Sequence, residues 1–396
     1  MTQIAYISTY VPKKCGLATY THHLRQAVEG AKGTSVQDKV IAVVSPGEDN
    51  TRYHPSVWTL RRDVRQDYRN LAARINDSAV AAVSLQHEFG IFGGNAGEYV
   101  LDFARALRKP LITTFHTVFE HPKEPYRSIQ DELCALSRRI VVMNRRAVTF
   151  LNNAFGVPED KIFYLPHGTP TPMPEQRAAI RERFGWADKK VVLTFGLLGR
   201  GKGIELILKA LPKVVQRVPN VVYALVGQTH PDVLRHEGEA YRNELLEMVH
   251  DLGLDEHVQM VNRYLTEEEL VEVITACDLY VTPYPGMEQI TSGTLAYAVG
   301  LGRPVLSTPY AYARDLLAGL DELLIPYGDV DTWADTMVRM LSDASLHATW
   351  EHRIREIGQH MQWPNVGATY WHLVQDVLHT EKGRVAGGSA LASISR

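Results

Sequence analysis

Short apolar runs rich in Val, Ile, Leu and Tyr recur along the whole chain, each followed by polar loop residues and then by a helix-period pattern. Strand, crossover and strand in that order close as a parallel sheet with helices on its faces. The first set of runs is Ile4–Ser8, Val40–Val44, Ala79–Gln86, Leu111–Phe115, Ile140–Met143 and Ile162–Leu165. The second is Val191–Phe195, Val221–Val226, Val258–Val261, Leu279–Thr282, Pro304–Ser307 and Leu323–Ile325. Two sets of about six predict an α/β chain with two doubly wound sheets rather than one. The length agrees, since 396 residues, 45% of them hydrophobic, can furnish two cores of ordinary size. Alternating prolines in Thr169-Pro170-Thr171-Pro172-Met173-Pro174-Glu175 exclude helix and mark the join, giving domains over 1–172 and 173–359. Segment 344–380 reads as helical with a bend at Pro364, and 383–396, mostly Gly, Ser and Ala, reads as a mobile tail.

A net charge of −3 without long charged runs excludes nucleic acid as an expected partner. The N-terminus enters a strand directly and no apolar run reaches about 18 residues, so a cytoplasmic protein with at most peripheral membrane contact is expected. Cys15, Cys134 and Cys277 are scattered, without the paired spacing of a disulfide framework or a zinc site. The latter two read as buried thiols, whereas Cys15 lies in a loop.

Residues 192–208 read as a buried strand that breaks into a glycine-rich loop and reopens as a helix, with Arg200 and Lys202 inside the loop. Glycines admit close approach, a helix start offers unpaired N–H groups and two cations add full charge, which together suit a phosphate. Gly196, Gly201 and Lys202 fit the G-x-x-x-x-G-K part of a P-loop, but Gly203 stands where a magnesium-binding hydroxyl belongs. A phosphate ester is therefore expected, without a metal-dependent nucleotide triphosphatase. In the same half, Ser292-Gly293-Thr294 opens a helix whose amides suit a second phosphate oxygen, and Glu288 nearby suits sugar hydroxyls. Asp329-Val330-Asp331 has the form of a metal-binding D-x-D but precedes a helix, where capping explains it.

Ligands of open parallel sheets bind at the carboxyl edges of the strands. Those edges carry Gly16, Thr19 and Tyr20 in one loop and helix start, His87 and Glu88 at another strand end, His116 at a third, and Gly199 and Gly227 in the second half. His116 emerges at a strand end, where an imidazole suits a sugar hydroxyl or a developing charge.

These residues resemble the GT-B glycosyltransferases, specifically family 4, retaining enzymes that use nucleotide-sugar donors. Tyr10–Thr21 resembles the family's acceptor-side glycine loop, Thr114-Phe115-His116-Thr117 its sugar-contacting histidine, Lys202-Gly203 its diphosphate loop, and Gly302-Arg303-Pro304-Val305 the strand following its E-x7-E element. The resemblance implies two Rossmann-like domains facing across a cleft, with C-terminal helices, about 360–382, completing the first. It implies transfer of a hexosyl group from a nucleoside-diphosphate sugar to a hydroxyl acceptor such as a saccharide, lipid carrier or small metabolite, with no cofactor and no metal. His116, Glu288, Arg200 and Lys202 would then be catalytic, Gly199, Arg200, Lys202 and Ser292–Thr294 would bind the diphosphate, and His116, Gly227, Glu288 and Tyr297 the sugar and nucleotide. Gly16, Thr19, Tyr20, His87 and Glu88 would lie on the acceptor side.

The sequence departs from that pattern at two places. Leu197 occupies the family's arginine position, leaving Arg200 to supply the guanidinium, and Tyr297 occupies the second Glu of E-x7-E, which contacts ribose in the family. Two other readings stay open: a sugar phosphorylase on the same fold and a non-catalytic nucleotide-sugar binding protein.

Overall fold

A computed structural model describes residues 2–33 and 36–392, with the side chains of 232 and of 381 onward outside that description. The chain forms two compact units, residues 1–168 with 363–396, and residues 169–362.

The first unit holds seven parallel strands: β1 (Gln3–Ser8), β2 (Lys39–Val44), β3 (Trp58–Arg61), β4 (Val80–His87), β5 (Leu111–Phe115), β6 (Arg139–Val142) and β7 (Ile162–Tyr164). Their order is β3-β2-β1-β4-β5-β6-β7. Central β1 and β4 are almost entirely buried, as their uninterrupted apolar character requires. One face of the sheet is covered by the helices Gly16–Lys32 and Trp363–Ala392, so Tyr20, Leu24 and Val28 pack with Val366, Tyr370, Val374 and Val377 over Ile4, Ala82, Ile112 and Val141. The two helices approach so closely at Gly367 that a Cβ there would lie 2.4 Å from the backbone of Ala27.

The second unit is a five-stranded parallel sheet in the order β10-β9-β8-β11-β12. Its strands are β8 (Lys190–Phe195), β9 (Val221–Val226), β10 (Val258–Val261), β11 (Leu279–Thr282) and β12 (Val305–Ser307). The helices Ile204–Arg217 and Val330–Ser342 pack together, with Leu211, Val214, Trp333 and Met337 in one core.

Three expectations require correction. The four-residue edge strand β3 carried no recognised signal, because it alternates exposure and only Leu60 is buried. Leu323–Ile325 is not a strand, since a 3-10 turn occupies Asp321–Leu323 and only a single bridge, Ser307 to Leu324, joins the segment to the sheet. Pro364 does not bend a continuous helix: the helix Ala344–Gly358 ends, Gln362 is extended, and Pro364 sits in the first turn of a new helix. A ring-fixed φ and a missing N–H suit a helix start. The segment 383–396, expected as a tail, falls where side chains lie outside the described residues.

Candidate functional site

The carboxyl ends of β8 and β9 are closed by glycine. Gly196 (φ 124°) donates its N–H to Val226 O at 3.0 Å, and a Cβ on Gly227 (φ 146°) would lie 2.0 Å from Gly196 O. A 3-10 turn, Arg200–Lys202, then leads to Gly203, which has φ 61° and opens the helix Ile204–Arg217. A Cβ on Gly203 would stand 2.0 Å from Pro283 O, so the position that carries a hydroxyl in a P-loop has no room for one here.

Lys202 is half-buried and its Nζ donates to Tyr284 OH at 2.8 Å, lying 4.5 Å above that ring. The Tyr284 hydroxyl pairs with Thr294 Oγ1 at 2.8 Å, and Thr294 Oγ1 pairs with Ser292 Oγ at 3.2 Å. Ser292 caps the helix Gly293–Gly300 by accepting from Leu295 N. One connected group therefore joins the loop cation to a helix start. It borders Gly196, where a Cβ would meet Thr294 Cγ2 at 3.3 Å and Lys202 Nζ at 3.5 Å.

A pocket of about 280 Å3, counting space open to solvent, lies at this edge, lined by Thr194, Gly196, Lys202, Gly227 and Arg242 among others. Arg242, on the helix Ala240–Asp251, escaped sequence reasoning. It is 6% exposed and donates Nη2–H to Gly227 O at 2.8 Å and Nε–H to Glu239 at 3.3 Å. It shares the i, i+3, i+7 stripe with the buried Leu245 and Val249, a spacing that hints at burial but says nothing of its partner Gly227.

The remaining expected residues of this unit are placed as follows. Arg200 is half-exposed and forms a two-pronged bond to Glu244, 2.7 Å to each oxygen, with Glu237 at 3.4 Å. Gly199 is extended, with Val233 Cγ2 3.4 Å from where its Cβ would be. Glu288 stands exposed in the loop between β11 and the helix Gly293–Gly300. Tyr297 is 7% exposed and donates to Glu267 Oε1 at 3.2 Å. Asp329 caps the helix Val330–Ser342 through Thr332 N, and Asp331 pairs with Lys213.

In the first unit, His116 Nε2 meets Gln86 Oε1 at 3.0 Å, Gln86 Nε2 donates to Ser84 Oγ at 3.1 Å, and Ser84 pairs with Tyr370 OH at 2.6 Å. Tyr20 is buried, its ring edge-on to His116 at 5.0 Å and to His167 at 5.1 Å. Burial, reinforced by the neighbouring His167 and His87, lowers the His116 pKa to about 3. Burial likewise lowers His167 to about 4. His87 is fully buried among Phe89, Phe92 and Phe115, has no hydrogen-bond partner among the described residues, and is lowered to about 3 by burial. It is a neutral core group. Glu88, half-buried, accepts from Thr117 Oγ1 at 2.6 Å and from Phe89 N at 3.0 Å, and burial raises its carboxyl against those two bonds. Cys15 caps the helix Gly16–Lys32 by accepting from Ala18 N, Gly16 is exposed with open space around its Cβ position, and Thr19 donates to Cys15 O at 3.4 Å. Cys134 and Cys277 are buried.

Solved structures similar along nearly the whole chain are sucrose-phosphate synthase from Thermosynechococcus elongatus (TM-score 0.75, 17% identity, 96% of this chain and 100% of that one) and HepE from Anabaena in complex with UDP (TM-score 0.73, 16% identity, 95% and 100%). The fold is GT-B. Residues 189–343 match the family described as glycosyl transferases group 1, the stretch that builds the GT-B second unit. A curated relative, the GDP-mannose-dependent alpha-(1-6)-phosphatidylinositol monomannoside mannosyltransferase of Mycolicibacterium smegmatis, is 35% identical over 135 residues, 33% of this chain and 32% of the relative. The chain thus matches about a third of that relative's length. No helix among the described residues is long and apolar enough to cross a membrane.

Proposed function

We propose that this chain is a glycosyltransferase that moves a hexosyl group from a nucleoside-diphosphate sugar to an acceptor hydroxyl, with retention at the anomeric carbon and without a metal. The connected group Lys202–Tyr284–Thr294–Ser292, set beside Gly196, carries the reading. The group 1 match over the same unit, a relative named for GDP-mannose and a fold neighbour bound to UDP all support it.

Cleaving the bond between the anomeric carbon and the diphosphate leaves the electron pair on a phosphate oxygen. Lys202 and the amides at Gly293 and Thr294 would stabilise that charge where it develops. Arg242 takes the second-cation part expected of Arg200, because Arg242 lines the pocket while Arg200 is bound by Glu244 and ties the loop to the helix Ala240–Asp251. Glu288 orients the sugar, and Tyr297 with Glu267 serves the ribose. The acceptor oxygen bonds to the anomeric carbon on the face the diphosphate leaves, and its proton passes to the departing phosphate oxygen.

Calorimetric titration with UDP and GDP tests the site. One of the two should bind the wild type, Lys202→Ala should weaken it about 10- to 100-fold, the loss of one charged hydrogen bond, and Arg200→Ala should change it by less than about threefold. Unchanged affinity in Lys202→Ala sinks the assignment. Transfer from the matching nucleotide-hexose should persist in EDTA, and its abolition there sinks the metal-free scheme.

A further inference from the structure

Phe119 and Tyr126 are 36% and 37% exposed, against the burial usual for large rings in this unit. They pack on each other at 5.5 Å between centroids, and both rest on buried Phe89, Phe119 stacked at 5.9 Å and Tyr126 edge-on at 4.9 Å. Phe89 follows β4, Phe119 follows β5 and Tyr126 begins the helix Tyr126–Leu136, so all three stand at the carboxyl edge of the first sheet. The two loops are laced together: His116 N donates to His87 O at 3.1 Å, Thr117 donates to Glu88, and Gln130 Nε2 donates to Thr117 O at 2.9 Å. A rigid, half-exposed aromatic surface therefore adjoins a half-buried carboxylate. Each Glu88 oxygen accepts one bond, which leaves each a second lone pair.

We propose that Phe119, Tyr126 and Glu88 form the acceptor subsite and that the acceptor is an uncharged pyranoside. The inference rests on the glycosyltransferase reading above. A pyranose presents one face of C–H groups and an edge of vicinal hydroxyls. The C–H face stacks on the rings and the hydroxyls donate to the carboxylate. A phosphorylated headgroup would be repelled by Glu88, and an acyl chain would strip water from that carboxylate without satisfying it. Two half-exposed rings are also far less than the roughly 800 Å2 per partner of a stable protein interface.

Saturation-transfer NMR with methyl α-D-mannopyranoside and methyl α-D-glucopyranoside reads the subsite without turnover. Transfer to the ring C–H protons of at least one glycoside is expected with the wild type, reduced at least fivefold in the Phe119→Ala, Tyr126→Ala double variant and about threefold or more in Glu88→Gln. Phe119→Leu retains bulk without an aromatic face and should also lose signal, which keeps the test open if the double variant misfolds. No transfer to the wild type, or undiminished transfer in all three variants, overturns the proposal. So does binding of a short-chain phosphatidylinositol that Glu88→Gln strengthens. UDP and GDP binding, measured in parallel, reports separately on the glycosyltransferase reading: glycoside binding without nucleotide binding would sink that reading and leave a glycoside-binding surface with no acceptor role.

Discussion

A side chain at position 203 has nowhere to go. Its Cβ would meet the Pro283 carbonyl at 2.0 Å, and its φ of 61° already disfavours any L side chain. Gly203→Ser would complete a P-loop motif on paper, yet it should lower the melting midpoint by roughly 2–10 °C, weaken nucleoside-diphosphate binding, and confer no magnesium-dependent ATP hydrolysis. Calorimetry and a phosphate-release assay check all three, and a stable, ATP-hydrolysing variant refutes the steric argument. Lys202 was legible in the sequence because cation, glycines and helix start are consecutive. Arg242 was not, since its partner Gly227 lies on a different element and only the tertiary fold brings the pair to one pocket. The partner of Arg200 was hidden for the same reason, Glu244 being 44 residues away. His87 stood beside Glu88 in sequence as an equal candidate, but His87 is the last residue of a strand buried on both faces, whereas Glu88 lies past the strand end and caps the 3-10 turn Phe89–Ile91.

At the level of elements, the contact between the helices Gly16–Lys32 and Trp363–Ala392 depends on Gly367. A larger residue must displace the Ala27 backbone, 2.4 Å from the added Cβ. Gly367→Val should cost about 1–3 kcal/mol, the usual penalty of overpacking, read as a lower urea midpoint at unchanged slope. A midpoint equal to wild type means that the helices separate freely. Buried strands were easy to read, and Leu111–Phe115, Val221–Val226 and Leu279–Thr282 fall where their apolar runs begin and end, as does the half-buried edge strand Val258–Val261. Edges were harder. β3 buries one residue in four, and Leu323–Ile325 is as apolar as a strand yet contributes one bridge, because apolar content reports burial and not ladder pairing. Pro364 was visible, but a proline says only that helix does not continue through it from before, and a helix start satisfies that as well as a bend does.

For the molecule as a whole, the buried histidines set an acid limit. His87, His116 and His167 have pKa values near 3, 3 and 4 in the fold, against about 6.5 unfolded. As pH falls below about 6.5 the unfolded chain binds protons that the folded chain does not, so stability declines toward pH 4 and is flat above 7. His87 alone accounts for up to about 1.4 kcal/mol per pH unit in that window. Urea midpoints at pH 8, 7, 5.5 and 4.5 should show this, and His87→Phe should flatten the decline. A wild-type midpoint constant from pH 7 to 4.5 contradicts the neutral-histidine account. The chain also completes its first sheet with its last helix, since Val366, Tyr370 and Val374 cover Ile4, Ala82 and Ile112. Unit two, contiguous from 169 to 362, can close as soon as it leaves the ribosome. The N-terminal sheet cannot, because the helix Gly16–Lys32 covers only part of that face, and the rest stays open to solvent until residues 363–377 have been made.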